Sequence, residues 1–139
     1  MNTSLMLSCF LSITFLAGVA HAGELAVTIT DIRAAEGTLL VSVVNSDAAW
    51  NNQAKPVAAT KVAATKGEMT LKFADLPDGQ YAVQVMHDQN DNGKLDTNFV
   101  GIPSEGYGFS NNPNVMRRAH FDEARFELVG NAAISIRLR

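Results

Sequence analysis

Leu76-Pro77-Asp78-Gly79-Gln80-Tyr81-Ala82-Val83-Gln84-Val85-Met86-His87 is the stretch from which the fold is read. Proline at the first corner position and glycine at the third are turn chemistry. The turn feeds a strand in which Tyr81, Val83, Val85 and His87 share one face. A tyrosine just after such a turn sits where a tyrosine corner forms in a β-sandwich, its hydroxyl bonding back to nearby backbone. The same period of two recurs on both sides. Leu25, Val27 and Ile29 face one way from Glu24 onward; Leu39, Val41 and Val43 follow a turn ending at Gly37; Met69, Leu71 and Phe73 alternate with Thr70 and Lys72. Pro56 opens an Ala- and Thr-rich segment, Val57 to Thr65, that reads as an edge strand. Ser46-Asp47-Ala48-Ala49 is suited to capping one helical turn before Trp50. Two last strands are expected over His120–Leu128 and Ala132–Leu138. The sum is an all-β, antiparallel, seven-stranded sandwich, immunoglobulin-like or prealbumin-like, with one long loop over residues 88–119.

The chain of 139 residues is the size of one domain. Leu5 to Ala20 is almost wholly apolar and Ala20-His21-Ala22 has the small-x-small pattern of a signal-peptidase site. Residues 1–22 are therefore read as a signal peptide and residues 23–139 as the exported domain, periplasmic or secreted. The single cysteine, Cys9, lies in the leader, so the domain has no disulfide to rely on. A net charge of −3, well mixed along the chain, argues against nucleic acid as a partner. No basic amphipathic stretch suggests a membrane surface after cleavage.

Chemistry concentrates after His87. In Asp88-Gln89-Asn90-Asp91-Asn92-Gly93-Lys94-Leu95-Asp96, oxygen-bearing side chains recur at every second position, and glycine stands sixth. This is the start of a calcium loop of the EF-hand type. Asp88, Asn90, Asn92, the Lys94 carbonyl and Asp96 would supply oxygens, and Asp91 lies out of phase. The twelfth position, where an EF-hand places glutamate, is Phe99. Glu105 is the candidate for the missing carboxylate. Two certain carboxylates imply an affinity of roughly 10⁻⁴–10⁻³ M, that of extracellular modules. The competing reading is a plain hairpin corner at Asp91-Asn92-Gly93.

Leu76-Pro77-Asp78-Gly79-Gln80-Tyr81-Ala82-Val83, His87-Asp88, Asn92-Gly93-Lys94-Leu95-Asp96 and Gly101-Ile102-Pro103-Ser104-Glu105-Gly106-Tyr107-Gly108-Phe109-Ser110-Asn111-Asn112 together resemble the bacterial domain of unknown function 2141. The resemblance covers most of residues 23–139 and implies a small exported β-sandwich. It implies no activity.

Other constellations are weaker. His87 and His120, with Met86 or Met116, offer a copper or zinc set. His87 with Asp88 and Glu105, or Ser110 with His120, offers acid/base or nucleophile chemistry. No nucleophile elbow, zinc-protease motif or phosphate loop accompanies them. Tyr107, Phe109, Phe99 and Trp50, set among Asn, Ser and Gly, suit either docking of a glycan or protein or a lid over the end of the sandwich. Arg117-Arg118 reads as a solvated pair. The sequence thus points to a non-enzymatic exported sandwich whose long loop is ordered by Ca²⁺ and presents a surface to a glycan or protein ligand. The alternatives are a hydrolase-like enzyme using His87 and Glu105, and a structural or assembly subunit.

Overall fold

A computed structural model describes residues 22–139; the expected signal peptide, save Ala22, lies outside the described residues. In chain order the elements are β1 (Ala22–Ile32), β2 (Thr38–Val44), α1 (Asp47–Trp50), β3 (Ala58–Ala63), β4 (Gly67–Pro77), β5 (Gly79–Asp88), β6 (Tyr107–Phe109), α2 (Phe121–Ala124), β7 (Phe126–Leu128) and β8 (Ala132–Arg137). They form two sheets. One has the order β4-β1-β8; the other has the order β3-β2-β5-β6, with β7 paired to the start of β5.

The alternating residues build the core. Leu25, Val27 and Ile29 of β1 and Leu39 and Val43 of β2 are fully buried, and they join Val83, Val85, Leu128 and Ile136 in one apolar cluster drawn from both sheets. Each such side chain contributes about 1.5–3 kcal/mol by leaving water. The opposite faces are polar: the Thr28 and Thr70 hydroxyls meet at 3.0 Å, and Lys72 lies 2.9 Å from Glu24. Two register shifts interrupt the β1–β4 ladder. Asp31 and Asp75 lie at these irregularities with φ of 59°, a left-handed conformation that aspartate tolerates better than most residues.

The turn at Leu76–Gly79 behaves as expected. The Tyr81 hydroxyl donates to the Pro77 carbonyl at 2.7 Å, and burial, reinforced by Asp78, raises the Tyr81 pKa above its ordinary value. β3 is the sheet edge that the Ala- and Thr-rich segment suggests. Ser46 caps α1, its hydroxyl accepting the Ala49 N–H at 3.2 Å.

Three expectations need correction. Among the described residues the strands number eight, not seven, because Tyr107–Phe109 forms β6 within the long loop. The architecture is mostly antiparallel, but β1 and β8 run parallel. Alternation encodes which face a side chain takes, not the direction of a partner far along the chain. The expected strand over His120–Leu128 is instead a helical turn, α2, followed by the short β7. There Glu123 reaches back to the His120 N–H at 2.7 Å, closing a helical N-terminus that period-two alternation does not reveal.

β6 anchors the far end of the loop. It pairs antiparallel with β5, Met86 opposite Tyr107 and Gln84 opposite Phe109, so residues 89–106 are the connection of a hairpin. Gly108 faces the core. A Cβ there would lie 2.7 Å from the Ile136 side chain and 2.9 Å from the Arg137 carbonyl, so only glycine lets β6 sit so close to β8. The two sheets meet at this point, where Tyr107 and Arg139 exchange backbone hydrogen bonds of 3.3 and 3.0 Å.

Candidate functional site

The residues singled out after His87 come together at the end of β5. Asp88, the last residue of that strand, is completely buried. Its two carboxylate oxygens accept the Asn92 N–H at 3.0 Å and the Gly93 N–H at 2.7 Å. The Asn90 Oδ1 also accepts the Asn92 N–H, at 3.2 Å, and the Asn92 Oδ1 accepts the Lys94 N–H at 2.9 Å. These side-chain-to-backbone bonds hold a tight coil, in which Asp91 and Gly93 take φ of 57° and 76°.

Two carboxylates close the coil. Asp96 accepts the Asn90 Nδ2 at 2.5 Å on one oxygen and the Asn92 Nδ2 at 2.9 Å on the other. Glu105, only 6% exposed, accepts the Gln89 N–H at 2.8 Å and the Asp96 N–H at 2.9 Å. Glu105 thereby clamps both ends of the segment, from the side of the loop where the sequence suggests a missing carboxylate. Asp91 is out of phase. It faces solvent and bonds to Thr38 at 2.8 Å and to Lys61 at 3.4 Å. The Thr38 hydroxyl, helped by Lys61, lowers the Asp91 pKa.

Asp88, Asn90, Asn92, Lys94, Asp96 and Glu105 thus belong to one hydrogen-bonded knot. Among the described residues, however, no three His, Cys, Asp or Glu side chains converge as a ready-made metal cluster. The Asn90 and Asn92 carboxamides direct their N–H groups, not their oxygens, at Asp96. Both Asp96 oxygens thus accept an amide N–H. The donor set is all oxygen, which suits a hard ion, and each bonded carboxylate oxygen keeps a second lone pair.

The other candidate residues lie elsewhere. His87 is buried and its Nε2 lies 2.8 Å from the Glu36 carbonyl, to which it donates, whereas His120 is exposed at the N-terminus of α2. Glu105 spends its oxygens on backbone N–H groups, not on His87. The Ser110 hydroxyl is fully buried; it donates to the Ala124 carbonyl at 2.5 Å and accepts the Val83 N–H at 2.9 Å. The next two residues brace the backbone in the same way. Asn111 donates to the Arg125 carbonyl at 2.7 Å, while Asn112 pairs with the free edge of β8 through the Arg137 N–H at 2.8 Å and the Ser135 carbonyl at 2.9 Å.

The aromatic residues divide between lid and surface. Trp50, Phe109 and Phe121 form a second apolar cluster on the outer side of the β3-β2-β5-β6 sheet, and Trp50 donates to the Ala119 carbonyl at 2.9 Å. Tyr107 packs on Phe109 and stays half-exposed. Phe99 is 99% exposed, at the tip of a turn held by the Asn98 side chain. Arg117 and Arg118 are not a free pair. Arg117 bonds both oxygens of Glu123, at 2.8 and 2.9 Å, and this pairing holds the Glu123 pKa down to about 2. Arg118 stacks 5.2 Å over Trp50.

Between the 93–103 segment and the outer face of that sheet runs a groove of about 720 Å³. Leu40, Gln84, Met86, Tyr107 and Arg118 line it. Of this surface the sequence suggested Tyr107 and Phe109; Gln84 and Met86 have the parity opposite to the inward Val83 and Val85, which is the signal for an outward face.

A family model described as "Uncharacterized protein conserved in bacteria (DUF2141)" matches residues 27–137. Comparison with curated proteins and with solved structures returns no match.

Proposed function

The chain belongs to the DUF2141 family of bacterial proteins, and within it we propose the role of an exported, non-enzymatic binding domain whose long loop is ordered by calcium. In this reading the fold is a β-sandwich of immunoglobulin-like or prealbumin-like type. The tyrosine corner at Tyr81 and the two-sheet core support that type. Export is supported by the apolar run Leu5–Ala20 and the Ala20-His21-Ala22 site.

The observation that carries the calcium reading is the convergence on Asp96. Two carboxamides contact its two oxygens, while Glu105 holds the Asp96 backbone from the other side. Calcium would bind through Asp88, Asn90, Asn92, the Lys94 carbonyl, Asp96 and Glu105, supplying positive charge where amide N–H groups now stand. Asp88 and Glu105 would keep the coil in shape by their backbone bonds. The ion's task is structural: it fixes the 89–106 connection, one wall of the groove, against the sheet, and that groove is the surface offered to a ligand. Binding to the folded state alone raises stability by RT ln(1 + [L]/Kd). At calcium ten times above Kd, the gain is about 1.4 kcal/mol. The test is a thermal melt in millimolar calcium and in chelator. A calcium-dependent rise in Tm, abolished by Asp96→Ala, is expected; identical melts for the native protein would refute the reading.

One observation favours a second reading, an assembly subunit. Phe99, Val100, Ile102 and Met116 are all more than half exposed on the same long segment, and apolar side chains so placed mark interaction surfaces. Sedimentation of the native protein against Phe99→Ser tests it: self-association lost in the variant supports assembly, and a monomer in both counts against it.

A further inference from the structure

The groove on the outer face of the β3-β2-β5-β6 sheet has a chemistry of its own. Its floor is apolar where Leu40 of β2, Met86 of β5 and Tyr107 of β6 stand side by side, and Met116 flanks it. Its volume of about 720 Å³ falls within the roughly 300–1,000 Å³ of small-molecule sites. Among the described residues no Asp or Glu lines it, whereas Arg117 and Arg118 do. The two arginines are not equivalent. Glu123 neutralises Arg117 through two hydrogen bonds. Arg118 donates only to neutral acceptors: the Trp50 carbonyl, the Asn51 Oδ1 at 3.3 Å and the Gln84 Oε1 at 2.9 Å. No carboxylate of the described residues forms an ion pair with it.

Arg118 stacks on Trp50 yet stays exposed at the groove, and partial desolvation lowers its pKa. An exposed cation with only neutral partners leaves its charge open to an anion. An anion arriving at the groove would pair with it through charge-assisted hydrogen bonds. Three of the five guanidinium donors are engaged as described, so donors remain. A neutral sugar would set hydroxyls against the Leu40 and Met86 floor and leave the Arg118 charge uncompensated.

The geometry points to a binding site for a small amphiphilic carboxylate in this groove, with the acid group on Arg118 and the apolar body along Leu40, Met86 and Tyr107. This rests on the groove being the ligand surface, and not on calcium. The test is a titration of the ¹⁵N-labelled protein with octanoate and with 1-octanol, each in millimolar calcium and in chelator. Octanoate should shift the Met86, Tyr107 and Met116 amides and the Arg118 Nε–H signal, with a Kd at least tenfold below that of octanol. Arg118→Gln should erase that preference, and Arg118→Lys should retain part of it. Because Arg118 also braces Trp50, a second variant avoids that contact. Met86→Glu places like charge on the groove floor and should weaken octanoate at least tenfold with the native Tm kept.

Equal affinity for acid and alcohol, shifts lying outside the groove, or methyl glucoside moving the same amides while octanoate moves none would overturn the proposal. A calcium-dependent rise in Tm without octanoate binding would remove the carboxylate ligand alone. Octanoate binding with no effect of calcium on Tm supports the carboxylate site and removes the calcium reading alone.

Discussion

Between the sheets, Leu25, Val27 and Ile29 of β1 face Leu39 and Val43 of β2, and none of the five is exposed. In the segment from Gln89 to Ala119, by contrast, much of the chain is open to solvent and the backbone is held by polar side chains. Asp88 and Glu105 each accept two N–H groups; Ser110, Asn111 and Asn112 reach β5, the end of α2 and β8. One region is stabilised by non-directional burial, the other by directional bonds to particular backbone groups. Burial tolerates a change of apolar shape, whereas a directional bond is lost with its acceptor. The difference teaches where an ion can act. The proposed ion has no place in the dry core; in the loop it would substitute for hydrogen bonds already arranged around oxygens.

The contrast can be broken by substitution. Ile29→Ala removes a fully buried side chain and should cost about 2–5 kcal/mol by chemical denaturation, with no dependence on calcium. Glu105→Ala leaves the Gln89 and Asp96 N–H groups without their acceptor, a loss of roughly 2 kcal/mol. It should also speed hydrogen exchange from Gln89 to Asp96 while leaving β1 protected. Were β1 to lose protection equally, the loop and the core would form one cooperative unit. Asn112→Ala should cost about 1 kcal/mol and expose the Arg137 N–H to exchange.

The smallest effect concerns acid. Arg117, with the His120 backbone N–H, holds Glu123 at about 2 against an ordinary 4.5. A lowered carboxylate pKa stabilises the fold above the unfolded value and loses that contribution as pH falls from about 4.5 towards 2. Glu123→Gln should therefore flatten the pH dependence of Tm within that window and leave it unchanged above pH 5. The group is exposed, so the change should be slight.

The core was legible because its code is periodic. Alternation in β1, β2, β4 and β5 assigns Leu25, Leu39, Phe73 and Val83 to the inside without any knowledge of partners, and the turn at Pro77-Asp78-Gly79 places Tyr81 correctly. Strand direction was not legible: β8 lies parallel to β1 across a separation of more than a hundred residues. β6 was hidden because three residues centred on Gly108 carry no period, and its reason for being there, close contact with Ile136, exists only in three dimensions. In the candidate site the oxygen spacing singled out Asp88, Asn90, Asn92 and Asp96, and the need for another carboxylate singled out Glu105. The structural work of Ser110, Asn111 and Asn112 stayed invisible, since their partners lie on three distant elements.

The most direct measurement is a calcium titration followed by NMR on the side-chain amide signals of Asn90 and Asn92. In the structure these NH₂ groups bond to Asp96. If calcium orders the loop, both signals will move together with the Gly93 and Asp96 amides, saturate at millimolar calcium and report the same Kd. Side-chain amides that keep their shifts throughout the titration, with the Asn–Asp96 bonds intact, would contradict it.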